Sequence, residues 1–216
     1  DIPLADIVPI LLDGCENLAM LGLVVGLLVR HIEKADRLLD PYLVEPVAWF
    51  REFDRVASEN SMLAASSERI VAFERRSWSL REAAGFLVVN SDDERAAELR
   101  GVGENLVATA RRQIEAAAED EGSGIGALTG ADIEQQLLPI RAWASVLDRD
   151  TYRAERTDNG LRIESEPPAE IVEAMRPDTE ELERSQASMR LTGRYCIEPM
   201  RGQPDRFDAK DLAVDL

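Results

Sequence analysis

The longest apolar stretch of the chain is LAMLGLVVGLLV, residues 18–29. Its 12 residues are too few to span a bilayer, because a spanning helix takes about 20. An apolar run of this length within a longer helical pattern predicts a core helix that is buried on all sides. Gly22 and Gly26 lie four residues apart in it. Since glycine weakens a helix, this spacing predicts a close packing contact with a neighbouring helix.

The sequence around this stretch has the same helical periodicity. Apolar residues recur at spacings of three and four over residues 3–35, which predicts one or two helices. Asp40 followed by Pro41 predicts another helix start, with Asp40 as the N-cap. Pro46 predicts a bend in that helix rather than a break. The polar residues that follow, 58–77, predict a loop with at most one short helix.

Two capping-box patterns predict further helices. SLRE at 79–82 and SDDE at 91–94 each place a serine three residues before a glutamate, and the second helix is predicted to end near residue 118. Residues 119–131 are rich in glycine and predict a loop. Another helix, bent at an internal proline, is predicted over residues 132–147.

The pattern changes after residue 150. Residues 152–157 and 161–165 alternate in character around Asp158-Asn159-Gly160, which predicts a β-hairpin. An isolated hairpin is marginally stable in water. We therefore expect Tyr152, Leu161 and Ile163 to rest on the helices or to contact a partner, and we expect both strand edges to be open.

The predicted fold class is mainly α, a multi-helix bundle or array with one β-hairpin insertion. The predicted organisation has four parts: a helical domain at 1–150, the hairpin at 151–166, C-terminal helices at 167–198 and an extended tail at 199–216.

The charge balance excludes several kinds of partner. The chain has 25 basic and 42 acidic side chains, a formal net charge of −17. A surface of this sign does not favour nucleic acid, whose phosphates need basic side chains, or anionic lipid. Lys34 and Lys210 are the two lysines, and neither follows a glycine. The chain therefore has no phosphate-binding loop of the G-x-x-x-x-G-K-[ST] type.

Scarce ligands also limit the possible chemistry. His31 is the single histidine, so neither a zinc motif with paired histidines nor a paired Glu-x-x-His di-iron site is possible within one chain. Cys15 and Cys196 are too few for a Cys-rich zinc site, and we expect two reduced thiols in a cytoplasmic protein. No catalytic, cofactor-binding or metal-binding residue is predicted. The alternative is a metal-dependent hydrolase that uses the acidic residues near Asp148 and Asp150.

Several helical segments resemble a known type of protein. Residues 11–31, 38–43, 78–84 and 141–145 resemble helical regions of very large, actinomycete-type bacterial ATP-binding multidomain proteins. In those proteins the nucleotide-binding module lies elsewhere in the chain. The resemblance implies that any ATP site lies outside this sequence, and it carries over no active-site residue.

These observations predict a non-catalytic helical scaffold or sensor segment of a larger bacterial multidomain protein. Its expected partners are other domains of the same protein or a separate protein. Formation of a homo-oligomer is a further alternative. Besides the metal-dependent hydrolase, a third interpretation is a membrane-proximal helical domain that uses residues 18–29.

Overall fold

The computed structural model describes residues 3–13, 17–62, 78–119, 128–157 and 160–176. Its helices are α1 (Leu4–Leu12), α2 (Leu18–Arg30), α3 (Ile32–Ala35), α4 (Asp40–Leu43), α5 (Pro46–Met62), α6 (Leu80–Val89), α7 (Asp93–Glu119) and α8 (Gly130–Val146). Two 3₁₀ turns lie at Asp36–Leu39 and Arg149–Thr151, and strands β1 (Tyr152–Thr157) and β2 (Gly160–Ser165) follow. Residues 169–176 are also helical. The predicted fold class, mainly α with one hairpin, is confirmed.

The chain divides into two compact units, Asp1–Ile171 and Val172–Leu216. The first unit contains α1–α8 and the hairpin. Almost all of the second unit lies outside the described residues. The predicted C-terminal helix after residue 177 and the tail at 199–216 lie there too.

Helices α7 and α8 make the most extensive helix–helix contact of the first unit. Leu99 and Leu106 of α7 and Leu137 of α8 are fully buried. The two helices come closest at Gly103, where an added Cβ would lie 2.9 Å from the carbonyl oxygen of Ala144. A glycine is therefore required here, because backbone rather than a movable side chain occupies the space.

Helix α2 differs from the prediction. Val24, Val25 and Leu28 are fully buried, but Leu23 is 54% exposed, so the helix is buried on one side only. A Cβ built at Gly22 or Gly26 would have no described atom within 4 Å, apart from adjacent residues and the backbone of α2 itself. The predicted close contact at these glycines is thus wrong for the described residues. The physical reason is that both glycines are half-buried at the edge of the packed face, between buried Val29 and exposed Leu23.

The chain breaks between α4 and α5 rather than bending. Helix α4 ends at Leu43, and α5 begins with Pro46, which fits the first turn of a helix because it has no N–H to leave unpaired. Asp40 does not cap a helix, as the residue before α4 is Leu39 and makes no side-chain cap. The Asp40 carboxylate instead accepts two hydrogen bonds from Arg95, at 2.6 and 2.7 Å.

The capping box before α6 is confirmed. The Ser79 side chain accepts a hydrogen bond from the N–H of Arg81, and Glu82 accepts one from the N–H of Ser79 at 2.7 Å. The second predicted box is wrong, because Asp92 rather than Ser91 accepts from the first turn of α7. Local hydrogen bonds still start both helices within one residue of the predicted position.

A third capping box precedes α8, and the sequence prediction missed it. The Thr129 side chain accepts from the N–H of Asp132, whose carboxylate accepts from the N–H of Thr129 at 2.8 Å. The box uses aspartate in place of the usual glutamate. Helix α5 extends to Met62, into the predicted loop. Of the two predicted loops, residues 63–77 and 120–127 lie outside the described residues.

Candidate interaction site

The hairpin has the predicted antiparallel register. Tyr152 lies opposite Ser165, Ala154 opposite Ile163, and Thr157 opposite Gly160. Two residues separate the strands, and Gly160 has a φ of 133°, a conformation that favours glycine. The Asp-Asn-Gly signal therefore predicts the place of the turn correctly.

Tyr152 fixes the first residue of the hairpin to the helical body. Its hydroxyl donates a hydrogen bond of 2.8 Å to the Val146 carbonyl at the end of α8. A Cβ at Gly85 of α6 would lie 3.1 Å from the same hydroxyl, so this glycine leaves room for the tyrosine. The ring packs against the main core. Burial raises the pKa of the Tyr152 hydroxyl to about 12.

Arg149, three residues earlier, links the hairpin base to the junction between α6 and α7. Its guanidinium donates to the carbonyl oxygens of Ser91 and Asp92, the latter at 3.0 Å, and pairs with the Asp93 carboxylate at 2.8 Å. One cation therefore contacts both the C-terminal end of α6 and the N-terminal end of α7. The guanidinium also donates to the Val88 carbonyl at the C-terminal end of α6, at 3.4 Å, and a cation at that end of a helix is electrostatically favourable.

Arg100 of α7 binds the two aspartates on either side of Arg149. One of its amino groups lies 2.7 Å from Asp148 and 2.6 Å from Asp150, and these contacts raise the pKa of the Arg100 guanidinium. The Asp148 carboxylate also accepts from the N–H of Asp150 at 3.0 Å, which starts the short 3₁₀ turn before β1. Thr151 adds a hydrogen bond to the Ser145 carbonyl at 2.8 Å.

Asp148 and Asp150 are thus engaged in the structure of the hairpin base. These are the carboxylates that the hydrolase alternative would use for a metal ion. Both are paired with a guanidinium, which competes electrostatically with a cation. Within the ranges that the structure describes, no group of three or more His, Cys, Asp or Glu side chains is placed to hold a metal ion.

The two arms of the hairpin are exposed beyond this base. Every residue of β1 after Tyr152 is exposed, and Ile163 of β2 is 40% exposed. Ile163 therefore does not rest on the helices, and of the two alternatives expected for it, contact with a partner stays a prediction. The side chain of Leu161 lies outside the described part of the chain.

One face of the arms carries alternating charges. Arg153 lies opposite Glu164 and Glu155 lies opposite Arg162, so each cross-strand pair joins opposite charges. The other face carries Ala154, Arg156 and Ile163 and continues outward from Tyr152. The sequence indicates this alternation, but exposure along nearly the whole length is a property of the tertiary structure.

A separate cleft of about 460 Å³ lies between α3, the 3₁₀ turn after it, α6 and α7. Its cations already have partners: Arg37 pairs with Glu98 at 2.6 Å, and Arg95 is held by Asp40. His31, the single histidine, lies exposed at the end of α2. The two arginines of the cleft are thus held in ion pairs, and His31 is not among the residues that line it.

Among the described residues, none of the helices combines the length and the apolar character that crossing a membrane requires. Comparison with known protein families, with curated proteins and with solved structures finds no match. The hairpin, with a fixed base and exposed arms, is the most distinctive arrangement in the described residues.

The buried hydroxyl of Tyr152 predicts an alkaline loss of stability. Tyrosine in the unfolded chain ionises near pH 10, whereas Tyr152 in the folded protein ionises at about 12. The stabilisation is therefore complete below pH 10 and is lost as the pH rises from about 10 to about 12. We expect Tyr152→Phe to cost about 1 kcal/mol at pH 8 through the lost hydrogen bond.

Urea unfolding of both proteins between pH 8 and pH 12 tests this prediction. The difference between wild type and Tyr152→Phe should stay constant up to about pH 10 and then narrow. A difference that does not change with pH would show that ionisation of Tyr152 is not linked to folding.

Proposed function

We propose that this chain is a non-catalytic helical scaffold segment that presents its β-hairpin to another protein segment. The observation that carries the proposal is the contrast between the two ends of the hairpin. Arg149, Arg100 and Tyr152 hold the base on three helices, while the arms beyond Tyr152 are exposed. A strand pair that contributed only to stability would bury one of its faces.

Exposed strand edges give such a hairpin a definite way to bind. The outer edge of each arm carries backbone N–H and C=O groups that a further strand satisfies by β-augmentation. Because the base is fixed, the arms are already oriented, and less conformational entropy is lost when a partner binds. The cross-strand charges on one face then select among partners.

The net charge and the family resemblance of the sequence also support this proposal. The net charge of −17 argues against nucleic acid as the partner. The resemblance to helical regions of large bacterial ATP-binding proteins supports a cytoplasmic scaffold or sensor segment of a multidomain protein. In such a protein, nucleotide chemistry belongs to another module, and the hairpin contacts other domains or a separate protein.

Site-specific photo-crosslinking tests the proposal in the producing cell. A photoreactive phenylalanine analogue at Thr157, near the hairpin tip, is compared with the same analogue at Glu104, an exposed position on α7. We expect defined adducts from position 157 and none from position 104. Equal labelling at both positions, or no protein adduct from position 157, would contradict the proposal.

Replacing the hairpin arms tests whether they contribute to the stability of the fold or only to binding a partner. Residues 153–164 are replaced by a short Gly-Ser linker, and Tyr152 is retained because it packs against the core. Helical content and the melting temperature should remain close to those of wild type, since the described side chains among the removed residues are exposed. Unfolding of this variant would make the arms structural and would overturn the proposal.

A further inference from the structure

The charge pattern of β2 is self-complementary. Its sequence places Arg162 and Glu164 on either side of Ile163. If two copies of β2 run antiparallel about Ile163, residues equally distant from the centre lie opposite one another. Arg162 of each copy then faces Glu164 of the other, and Ile163 faces Ile163. Two opposite-charge pairs and one apolar pair result from a single strand.

The hydrogen-bonding direction of β2 matches this pairing. The N–H of Glu166 donates to the Thr151 carbonyl at 2.9 Å, which places this pair among the hydrogen-bonded pairs of the hairpin. Such pairs alternate along an antiparallel ladder, so Glu164 and Arg162 also direct their backbone groups toward β1. The backbone N–H and C=O of Ile163 therefore point to the outer edge.

That outer edge is open in the described chain. The sheet contains two strands among the described residues, and neither pairs with a third. The side chains of Arg162 and Glu164 are 60% and 57% exposed. In the single copy they contact each other along the same strand. Pairing with a second copy would replace the Arg162–Glu164 contact within each strand by two Arg162–Glu164 contacts between the paired β2 strands.

We propose that β2 pairs antiparallel with β2 of a second copy of this chain, centred on Ile163. This inference rests on the proposed function and names the partner segment. The resulting contact is isologous and closes as a two-fold dimer with a four-stranded sheet. β1 has a similar pattern around Ala154, but β2 is the favoured edge because its central residue is the larger, β-branched and exposed Ile163.

Two charge reversals distinguish the dimer contact from an effect on the hairpin itself. Arg162→Glu and Glu155→Arg each place like charges opposite one another within the hairpin. Only Arg162→Glu also places like charges across the β2–β2 contact, and it does so twice. Glu155→Arg is therefore the control for like charges across the hairpin, whereas the Arg162–Glu164 contact along β2 is lost in Arg162→Glu alone.

Sedimentation velocity over a concentration series of the full chain gives the dimer dissociation constant. We expect Arg162→Glu to raise it about tenfold or more and Glu155→Arg to leave it nearly unchanged. Hydrogen exchange adds an independent measurement, because the outward N–H of Ile163 should become protected as wild type dimerises. Reversing the charges of Arg153, Glu155, Arg162 and Glu164 together should restore both contacts and wild-type dimerisation.

The outcomes separate this inference from the proposed function. A wild-type chain that stays monomeric, or equal weakening by both variants, overturns the β2–β2 dimer. Stronger weakening by Glu155→Arg than by Arg162→Glu would assign the contact to β1 and also overturn it. In those cases an adduct between position 157 and a different protein would still support presentation of the hairpin. Absence of every adduct from that position would remove the proposed function as well.

Discussion

Replacing Arg55 with methionine is expected to lower the free energy of unfolding by about 3–5 kcal/mol, because it leaves a buried carboxylate without its cation. That carboxylate belongs to Glu52, whose side chain is 2% exposed. The guanidinium of Arg55 donates to both of its oxygens, at distances from 2.8 to 3.2 Å. It also donates to the Trp78 carbonyl at 2.7 Å, which connects α5 to the residues before α6.

Urea unfolding measures this effect, and Arg51→Met on the exposed side of α5 is the matched control. We expect the control to change stability by less than about 0.5 kcal/mol. The double variant Glu52→Leu, Arg55→Met should recover part of the loss, since the buried carboxylate is then removed together with its cation. An effect of Arg55→Met as small as that of the control would mean that Glu52 does not depend on this ion pair.

A second large effect is expected at the crossing of α7 and α8. Gly103→Ala should destabilise the protein by about 1–3 kcal/mol, because the added methyl group meets backbone that does not move freely. The new Cβ would lie 2.9 Å from the carbonyl oxygen of Ala144 and 3.4 Å from the Cβ of Leu147. Relieving the first contact requires the two helices to separate.

Gly101→Ala is the matched control, two residues away in the same helix. A Cβ at Gly101 meets no described atom within 4 Å. The substitution should therefore stabilise the helix by about 1 kcal/mol through alanine's higher helix propensity. Opposite signs for the two variants in thermal unfolding would support the close crossing. Stabilisation by both would mean that α7 and α8 have room to adjust.

The elements that the sequence predicts well depend on residues close together in the chain. The capping box at Ser79 and Glu82 requires four residues, and the hairpin turn requires the Asp-Asn-Gly signal between two alternating runs. Both structures are recovered at or near the predicted positions. The predicted cap of α7 is wrong by one residue, because Asp92 rather than Ser91 accepts the hydrogen bond. Both side chains are chemically able to cap a helix, so the sequence pattern does not choose between them.

The candidate interaction site was predicted only in part. The alternating pattern correctly indicates a hairpin, and it predicts that Tyr152, Leu161 and Ile163 rest on the helices or contact a partner. The pattern does not reveal that Ile163 stays exposed, or that Arg149 and Arg100 hold the base. Arg149 and Asp93 are 56 residues apart, and Arg100 and Asp148 are 48 apart. No local spacing rule connects them.

The glycines illustrate the remaining difference between sequence and tertiary structure. By itself, the sequence determined the mainly helical class, the capping box before α6, the position of the hairpin and the lack of a G-x-x-x-x-G-K-[ST] motif, since each depends on a few neighbouring residues. It assigned close packing to Gly22 and Gly26, whereas the tertiary structure has its close crossing at Gly103. Which side of a helix is buried, and which charges pair, depends on how distant helices pack together. That arrangement depends on the combined burial energy of the core, which no short segment contains.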